Sequence, residues 1–175
     1  MAYIDFGDGL GPVQAYRHTN PDGTIGGWVA TKTRISPNAT IGKFARVGRG
    51  CMILDYAQIL GSARILAGAM IVDSATIKDA ATVSGEVIVG GFAQIYDRAK
   101  IRDHVQVRGN AIVCGDTAIS GGIEVGGYAI LRNMADYDRY VANSRTAEAQ
   151  RQEAVMPIST KDIDALLELD DLIGA

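Results

Sequence analysis

The chain has 175 residues, the length of one domain with a sizeable core. Lys and Arg number 17 against 20 Asp and Glu, and this near balance disfavours a nucleic-acid partner. Glycine is abundant, with a count of 21, while aromatic residues make up only 6%. That composition favours a repetitive β architecture over a helical bundle.

The N-terminal residues and the number of cysteines indicate where in the cell the protein is located. No apolar run approaches the ~18 residues of a membrane span. No basic residue precedes Arg17, whereas a signal peptide begins with positive charge. Two cysteines are too few for a disulfide scaffold. We therefore expect a cytoplasmic protein that does not contact a membrane.

The first predicted element is a hairpin over residues 17–24. Pro21 is followed by Asp22 and Gly23, which is turn chemistry, and short β-prone segments lie on both sides. We expect residues 1–26 to form an N-terminal hairpin cap, because the bare strand edges of a following β structure would otherwise promote aggregation.

A six-residue repeat dominates the chain from Val29 onward. Every sixth residue from Val29 to Leu131 is Ile, Val or Leu, without an exception. Two places before each one the residue is mostly small. Two places after it, from Asp55 to Asn133, every residue except Ala67 is Gly, Asp or Asn, which tolerate positive φ. Such a hexad is too short for a hairpin and too β-branched for a helix, so it predicts one side of a three-sided coil built from three hexads.

The hexads from Val29 to Leu131 make six coils, stacked ~4.8 Å apart and joined by backbone hydrogen bonds. This pattern resembles the hexapeptide-repeat family over about residues 27–134. The resemblance implies an all-β fold, a left-handed parallel β-helix shaped as a triangular prism, and a homotrimer. The segments NPDGT (residues 20–24) and GGWVA (residues 26–30) are similar to the start of uncharacterised hexapeptide-repeat proteins of phages and enterobacteria.

Residues three hexads apart stack on one wall, so each wall displays its own outward side chains. The wall through Val47 and Ile65 is named the basic wall. We expect it to bind an anionic small molecule or a protein partner, through Arg46, Arg64, Lys100 and Arg102.

The next wall along each coil, through Ile53 and Ile71, is named the apolar wall. We expect it to be the subunit interface, because a monomer should not expose such a patch to water. The alternative is that the C-terminal segment covers it. The outward apolar residues are Met52, Leu54, Met70, Val72 and Ile88. The third wall is mostly polar, with an apolar end.

Many members of the family are acyltransferases that use coenzyme A or an acyl carrier protein. The resemblance therefore implies a candidate general base, His104 beside Asp103, at the corner between the basic and apolar walls. Arg64, Lys100 and Arg102 would meet the phosphates of acetyl-coenzyme A. Against this role, no loop interrupts the hexads to cover a substrate. One histidine in the repeat cannot form a three-histidine zinc site, so no metal is expected.

After Leu131 the repeat ends, and residues 135–175 are predicted to form a helical tail. One helix is expected over about residues 144–154 and a second from Ser159 or Thr160. The tail is acidic overall, whereas basic residues outnumber acidic ones over residues 30–134. The tail could therefore dock on the repeat, or it could be a solvated segment.

Two functions follow from the sequence. The first is a non-catalytic trimeric β-helix without a cofactor, of a kind that a phage could encode, which presents its basic wall to a ligand or partner. The alternative is a coenzyme-A-dependent acyltransferase with His104 as base and acetyl-coenzyme A as co-substrate.

Overall fold

The computed structural model describes residues 1–154, with the side chains of residues 1–148. It begins with three antiparallel strands: β1 (Ala2–Ile4), β2 (Val13–Thr19) and β3 (Ile25–Ala30). Strand β2 pairs with β1 on one edge and with β3 on the other, where Arg17 lies opposite Trp28. The predicted hairpin is present, and β1 extends it by one strand.

Strand β3 carries the first residue of the repeat, Val29, and pairs in parallel with β6 one turn further along, so the hairpin is continuous with the basic wall. The basic wall continues through β6 (Arg46–Val47), β9 (Arg64–Leu66), β12 (Thr82–Ser84), β15 (Lys100–Arg102) and β18 (Ala118–Ile119). The apolar wall consists of β4 (Arg34–Ile35), β7 (Met52–Ile53), β10 (Met70–Ile71), β13 (Ile88–Val89), β16 (Gln106–Val107) and β19 (Glu124–Val125). The third wall consists of β5 (Thr40–Ile41), β8 (Gln58–Ile59), β11 (Thr76–Ile77), β14 (Gln94–Ile95), β17 (Ile112–Val113) and β20 (Ile130–Leu131).

These three parallel sheets form a β-solenoid of about six turns, as the hexads predict. Each strand pairs with the strand three hexads further along the chain, for example Met52 with Met70 and Met70 with Ile88. The repeated aliphatic residues fill the interior: all are buried except Ile35 in the first turn, which is half-buried. The small residues two places before them are largely buried as well, so the core is one continuous column.

The corners of the solenoid have the backbone that the Gly, Asp and Asn pattern predicts. Every sixth residue from Asp55 to Gly127 has positive φ, including Ala67 at 52°. At Gly61 a side chain would also be excluded by space, since an added Cβ would lie 2.8 Å from the backbone nitrogen of Asp79. The residue types at the corners therefore match the positive φ and the limited space that the backbone imposes there.

Aspartates at these corners form two ladders along the solenoid. A carboxylate oxygen of Asp55 accepts a hydrogen bond from the backbone N–H of Asp73 (3.2 Å), and Asp73 accepts one from Gly91 (2.7 Å). On the next corner, Asp79 accepts from Asp97 (3.3 Å) and Asp97 accepts from Gly115 (3.0 Å). Each aspartate thus satisfies a corner N–H that the wall strands do not pair.

The hairpin also covers the first edge of the third wall. The side chain of the buried Asn20 accepts a hydrogen bond from the Ile41 N–H (2.8 Å) and donates one to the Ile41 carbonyl (3.2 Å). A side-chain amide therefore takes the place that a neighbouring strand would occupy beside β5. This contact supports the predicted capping role of the N-terminal segment.

Helix α1 (Met134–Ala154) follows β20 and begins about ten residues earlier than the sequence predicted. The cause is a cap at Asn133: its side chain accepts a hydrogen bond from the Asp136 N–H (2.9 Å), while the Asp136 carboxylate accepts one from the Arg132 N–H (3.0 Å). The second predicted helix lies outside the described residues. Within the described part of the chain, no helix has the length and apolarity to cross a membrane.

Candidate functional site

The outward face of the basic wall carries a column of large side chains near its N-terminal end. Trp28 on β3 stands in register with Arg46 on β6, and Arg46 with Arg64 on β9. The two arginines therefore lie directly opposite each other on neighbouring strands, an arrangement in which like charges repel. Neither forms a salt bridge with a residue of the described chain.

Residues 5–12, named the strap, connect β1 and β2 and contact the basic wall. The side chain of Phe6 anchors the strap, since it is buried in a small cluster with Ala15, Ala30 and Leu66. Arg49 donates hydrogen bonds to the carbonyls of Leu10 (3.3 Å) and Gly11 (2.6 Å). The strap is thus held by one aromatic side chain and by hydrogen bonds to its backbone.

Arg64 joins the strap to the wall. Its guanidinium donates a hydrogen bond to the carbonyl of Phe6. Gly7 lies against the same guanidinium with φ of 71°, and the Gly7 N–H donates to the carboxylate of Asp5 (2.7 Å). The Nε atom of Arg64 is buried and has no hydrogen-bond partner among the described residues. Arg64 therefore keeps donor capacity that the strap does not use.

An open groove of about 620 Å³ lies where the strap meets the wall. Two guanidinium groups and a hydroxyl face it, and the exposed ring of Phe44 stands beside them. Within the described chain, Asp5 is the one acidic residue of its lining. The full lining is Asp5, Gly7, Phe44, Arg46, Ser62 and Arg64. The groove can accept an oxyanion between its arginines and an apolar group against Phe44.

The four cations predicted to bind a ligand fall into two pairs. Arg46 and Arg64 lie on adjacent turns and both line the groove. Lys100 and Arg102 are exposed on β15, separated from Arg64 by β12, and they do not line it. The sequence prediction did not include Phe44 and Ser62, although their spacing of three hexads places them on one corner.

His104 meets a carboxylate other than the one beside it in sequence. Its Nε2 lies 3.4 Å from a carboxylate oxygen of Glu86, and both side chains are more than 70% exposed. Asp103 occupies the corner with φ of 66°, where its N–H donates to the Ser84 carbonyl (3.2 Å). Glu86 was missed, yet it lies one full turn before His104, the spacing that stacks residues in this fold.

The five outward residues of the apolar wall lie together at its centre. Met52, Met70 and Ile88 are in direct register, and Leu54 and Val72 follow on the same face. All five are half-buried within the single chain. Arg34 precedes them on the wall and Gln106 follows, so the apolar patch has polar borders at both ends.

The titratable groups Cys51 and His18 have pKa values that do not favour reactivity. Burial raises the pKa of the Cys51 thiol to about 11, so Cys51 is a poor nucleophile at neutral pH. Burial also lowers the pKa of His18, and a hydrogen bond to the Ala39 backbone opposes that shift. Among the described residues, no group of three or more His, Cys, Asp or Glu side chains is placed to hold a metal ion.

The geometry defines the class of the protein as a parallel β-solenoid with an arginine-lined groove. The chain matches no protein-family model, no curated protein and no solved structure. The fold assignment therefore rests on the strand register of the chain itself.

Proposed function

We propose that this protein is a non-catalytic binding protein whose basic wall holds a small anionic molecule in the groove beside the strap. One observation carries the proposal: Arg46 and Arg64 are opposed in register, without a salt bridge in the described chain, at the mouth of a groove. An oxyanion between them would relieve their repulsion and accept hydrogen bonds from both. Phe44 would pack against the apolar part of the ligand.

The proposal includes self-association into a homotrimer through the apolar wall. Five outward apolar side chains at the centre of one wall favour a covered surface, and three copies of the chain about a threefold axis would bring their apolar walls together. A trimer would present three identical grooves. The unbroken hexads support membership of the hexapeptide-repeat family, and with it the left-handed path of the coils and the trimer. The short NPDGT and GGWVA segments support an origin in a phage.

A titration with adenosine 5′-monophosphate, with adenosine as the uncharged control, tests the site. The nucleotide combines a ring for Phe44 with a phosphate for the arginines. We expect binding of the nucleotide and not of adenosine, weakened about tenfold or more by Arg46→Ala, because a hydrogen bond to a charged group is worth about 1.5–3 kcal/mol. Isothermal calorimetry measures both.

The matched control is Arg98→Ala. Arg98 is an exposed arginine on another corner, paired with Asp116 at 2.7 Å. This variant should bind like the wild type. Equal weakening by Arg46→Ala and Arg98→Ala would indicate non-specific attraction, and no binding of the nucleotide by folded protein would contradict the proposed site.

A second candidate function, acyl transfer from acetyl-coenzyme A, is favoured by the 3.4 Å approach of His104 to Glu86. In that reaction His104 would take the proton of an acceptor hydroxyl or amine, and Glu86 would stabilise the imidazolium. The acceptor would attack the thioester carbonyl, and coenzyme A would leave as the thiol with the proton from His104. The same calorimetry distinguishes the two: binding of acetyl-coenzyme A weakened by Arg102→Ala and His104→Ala, and not by Arg46→Ala, would favour the enzyme.

A further inference from the structure

A row of exposed aromatic side chains follows the corner between the apolar wall and the third wall. Tyr56, Phe92 and Tyr128 occupy the same position of their turns and are 64%, 66% and 83% exposed. Ser74 and Asn110 hold that position on the turns between them. The aromatic rings therefore recur on every second turn, about 9.6 Å apart for a ~4.8 Å strand spacing.

Backbone hydrogen bonds hold this row in strict register. The N–H groups of Tyr56, Ser74 and Phe92 donate to the carbonyls of Asp73, Gly91 and Gly109, each the corner residue of the next turn, at 2.8–2.9 Å. Asn110 repeats the contact with Gly127. The aromatic positions thus belong to a rigid ladder and not to independent loops.

Amide side chains lie beside two of the three rings of the aromatic row. On the third wall Gln58, Thr76 and Gln94 are in direct register, and they follow Tyr56, Ser74 and Phe92 by two residues. The glutamines lie on the turns that carry Tyr56 and Phe92, and both are exposed. Within residues 1–148, neither amide has a side-chain hydrogen-bond partner. Tyr56 and Phe92 are therefore each accompanied by a free amide, whereas the matching position beside Tyr128 is the exposed Ile130.

The charge of this corner favours a neutral ligand. Asp55 and Asp73 directly precede Tyr56 and Ser74, and both aspartates are exposed. A polyanion that stacked on the aromatic row would meet these negative charges, so single-stranded nucleic acid is disfavoured. A neutral polymer would not experience this repulsion.

We propose that this corner row is a binding surface for a neutral, linear, β-linked polysaccharide. A hexose ring has a face of C–H groups that packs on an aromatic ring, and its hydroxyls pair with amide side chains. An extended β-linked hexose chain presents the same face once in every two sugars, a repeat close to the spacing of Tyr56 and Phe92. The surface is separate from the groove of the basic wall, and the proposal does not depend on the function of that groove.

Native affinity electrophoresis with hydroxyethyl cellulose in the gel tests this surface. We expect retardation of the wild-type protein in the gel, and we expect calorimetry to show that it binds cellohexaose. Phe92→Ala or Tyr56→Ala should weaken that binding about tenfold, the usual effect of removing one aromatic contact from a binding site. Soluble starch, an α-linked glucan whose chain is coiled, should cause no comparable retardation.

Tyr3→Ala is the matched control, since Tyr3 is a 77% exposed aromatic residue on β1, away from the row. It should bind cellohexaose like the wild type. The oligomer mass of each variant is measured on the same sample by light scattering. The proposal would be overturned if hydroxyethyl cellulose did not retard the protein, or if Tyr3→Ala and Phe92→Ala lost equal affinity for cellohexaose. A lower oligomer mass in Phe92→Ala would also overturn it, because the row would then be a subunit contact.

Discussion

At the scale of single residues, the corners depend on side chains that combine two properties. Asp73 adopts positive φ, which most residues avoid, and its carboxylate accepts the N–H of the next turn. Glycine also adopts positive φ, but it has no side chain to accept that hydrogen bond. The aspartate ladders therefore connect turns that the short strands join with few hydrogen bonds of their own.

Asp73→Ala should lower the free energy of unfolding by about 2 kcal/mol, with about 1 kcal/mol from positive φ and about 1 kcal/mol from the lost hydrogen bond to Gly91. Asp73→Asn should cost less, because an amide oxygen still accepts that bond and asparagine tolerates the conformation. Urea denaturation followed by circular dichroism measures both.

The control for the ladder is Asp116→Ala. Asp116 is an exposed aspartate whose φ is not positive, and its salt bridge with Arg98 lies at the surface, where such pairs contribute little. A loss in Asp116→Ala as large as that in Asp73→Ala would show that surface charge, and not the ladder, is responsible.

At the scale of elements, the strap shows how an irregular segment shapes a site. It contributes Asp5 and Gly7 to the groove, and its carbonyls occupy part of the donor capacity of Arg49 and Arg64. A change in the strap should therefore alter the groove without disturbing the interior column of the solenoid.

Gly7 and Gly9 allow a matched test of the strap. Both have positive φ, but a Cβ would collide with the Arg64 guanidinium only at Gly7, and at Gly9 it would meet nothing. Gly9→Ala should cost about 1 kcal/mol of stability through its backbone alone. Gly7→Ala should cost about 1 kcal/mol more, because it displaces the hydrogen bond from Arg64 to Phe6.

Thermal denaturation of the two variants provides the measurement, with nucleotide titration as a second readout. Equal losses of stability would mean that Arg64 moves aside without consequence and that the strap does not depend on it.

The strap also marks the limit of what the sequence could predict. The hexads predicted the parallel strands and interior, and the Gly, Asp and Asn positions predicted the corners, because those features repeat at a fixed interval. The strap has no periodicity, and Phe6 contacts Arg64 from a distant part of the chain. The start of α1 was missed for a different reason: the signal at its first turn was the pair Asn133 and Asp136, whose hydrogen bonds cap the helix.

At the scale of the whole molecule, the apolar wall is the surface through which we propose that copies of the chain associate. Its centre consists of five half-buried apolar side chains between polar borders. The third wall has the same backbone and the same spacing but carries Thr76 and Lys78 at the positions that correspond to Met70 and Val72. The difference between the two walls is therefore one of side chains alone.

The double variant Met70→Lys and Val72→Glu should reduce the oligomer mass in solution from that of a trimer to that of a monomer, because it places charges in the apolar contact. Thr76→Lys with Lys78→Glu creates the same two side chains at the matching positions of the third wall, and it should leave the mass unchanged. Size-exclusion chromatography with light scattering measures the mass. An unchanged mass for the first variant would show that the apolar wall is not the interface.

The separation of interior and surface has a consequence for how such a chain tolerates changes in length. A duplication or deletion of three consecutive hexads would add or remove one whole turn and leave every wall in phase. A change of a single hexad would also preserve the interior, because each hexad contributes the same inward pair, but every later hexad would move to the next wall. The basic, apolar and polar surfaces would then be spliced onto one another at that turn. Length variation by whole hexads can thus exchange the surfaces that the walls display while the core remains intact.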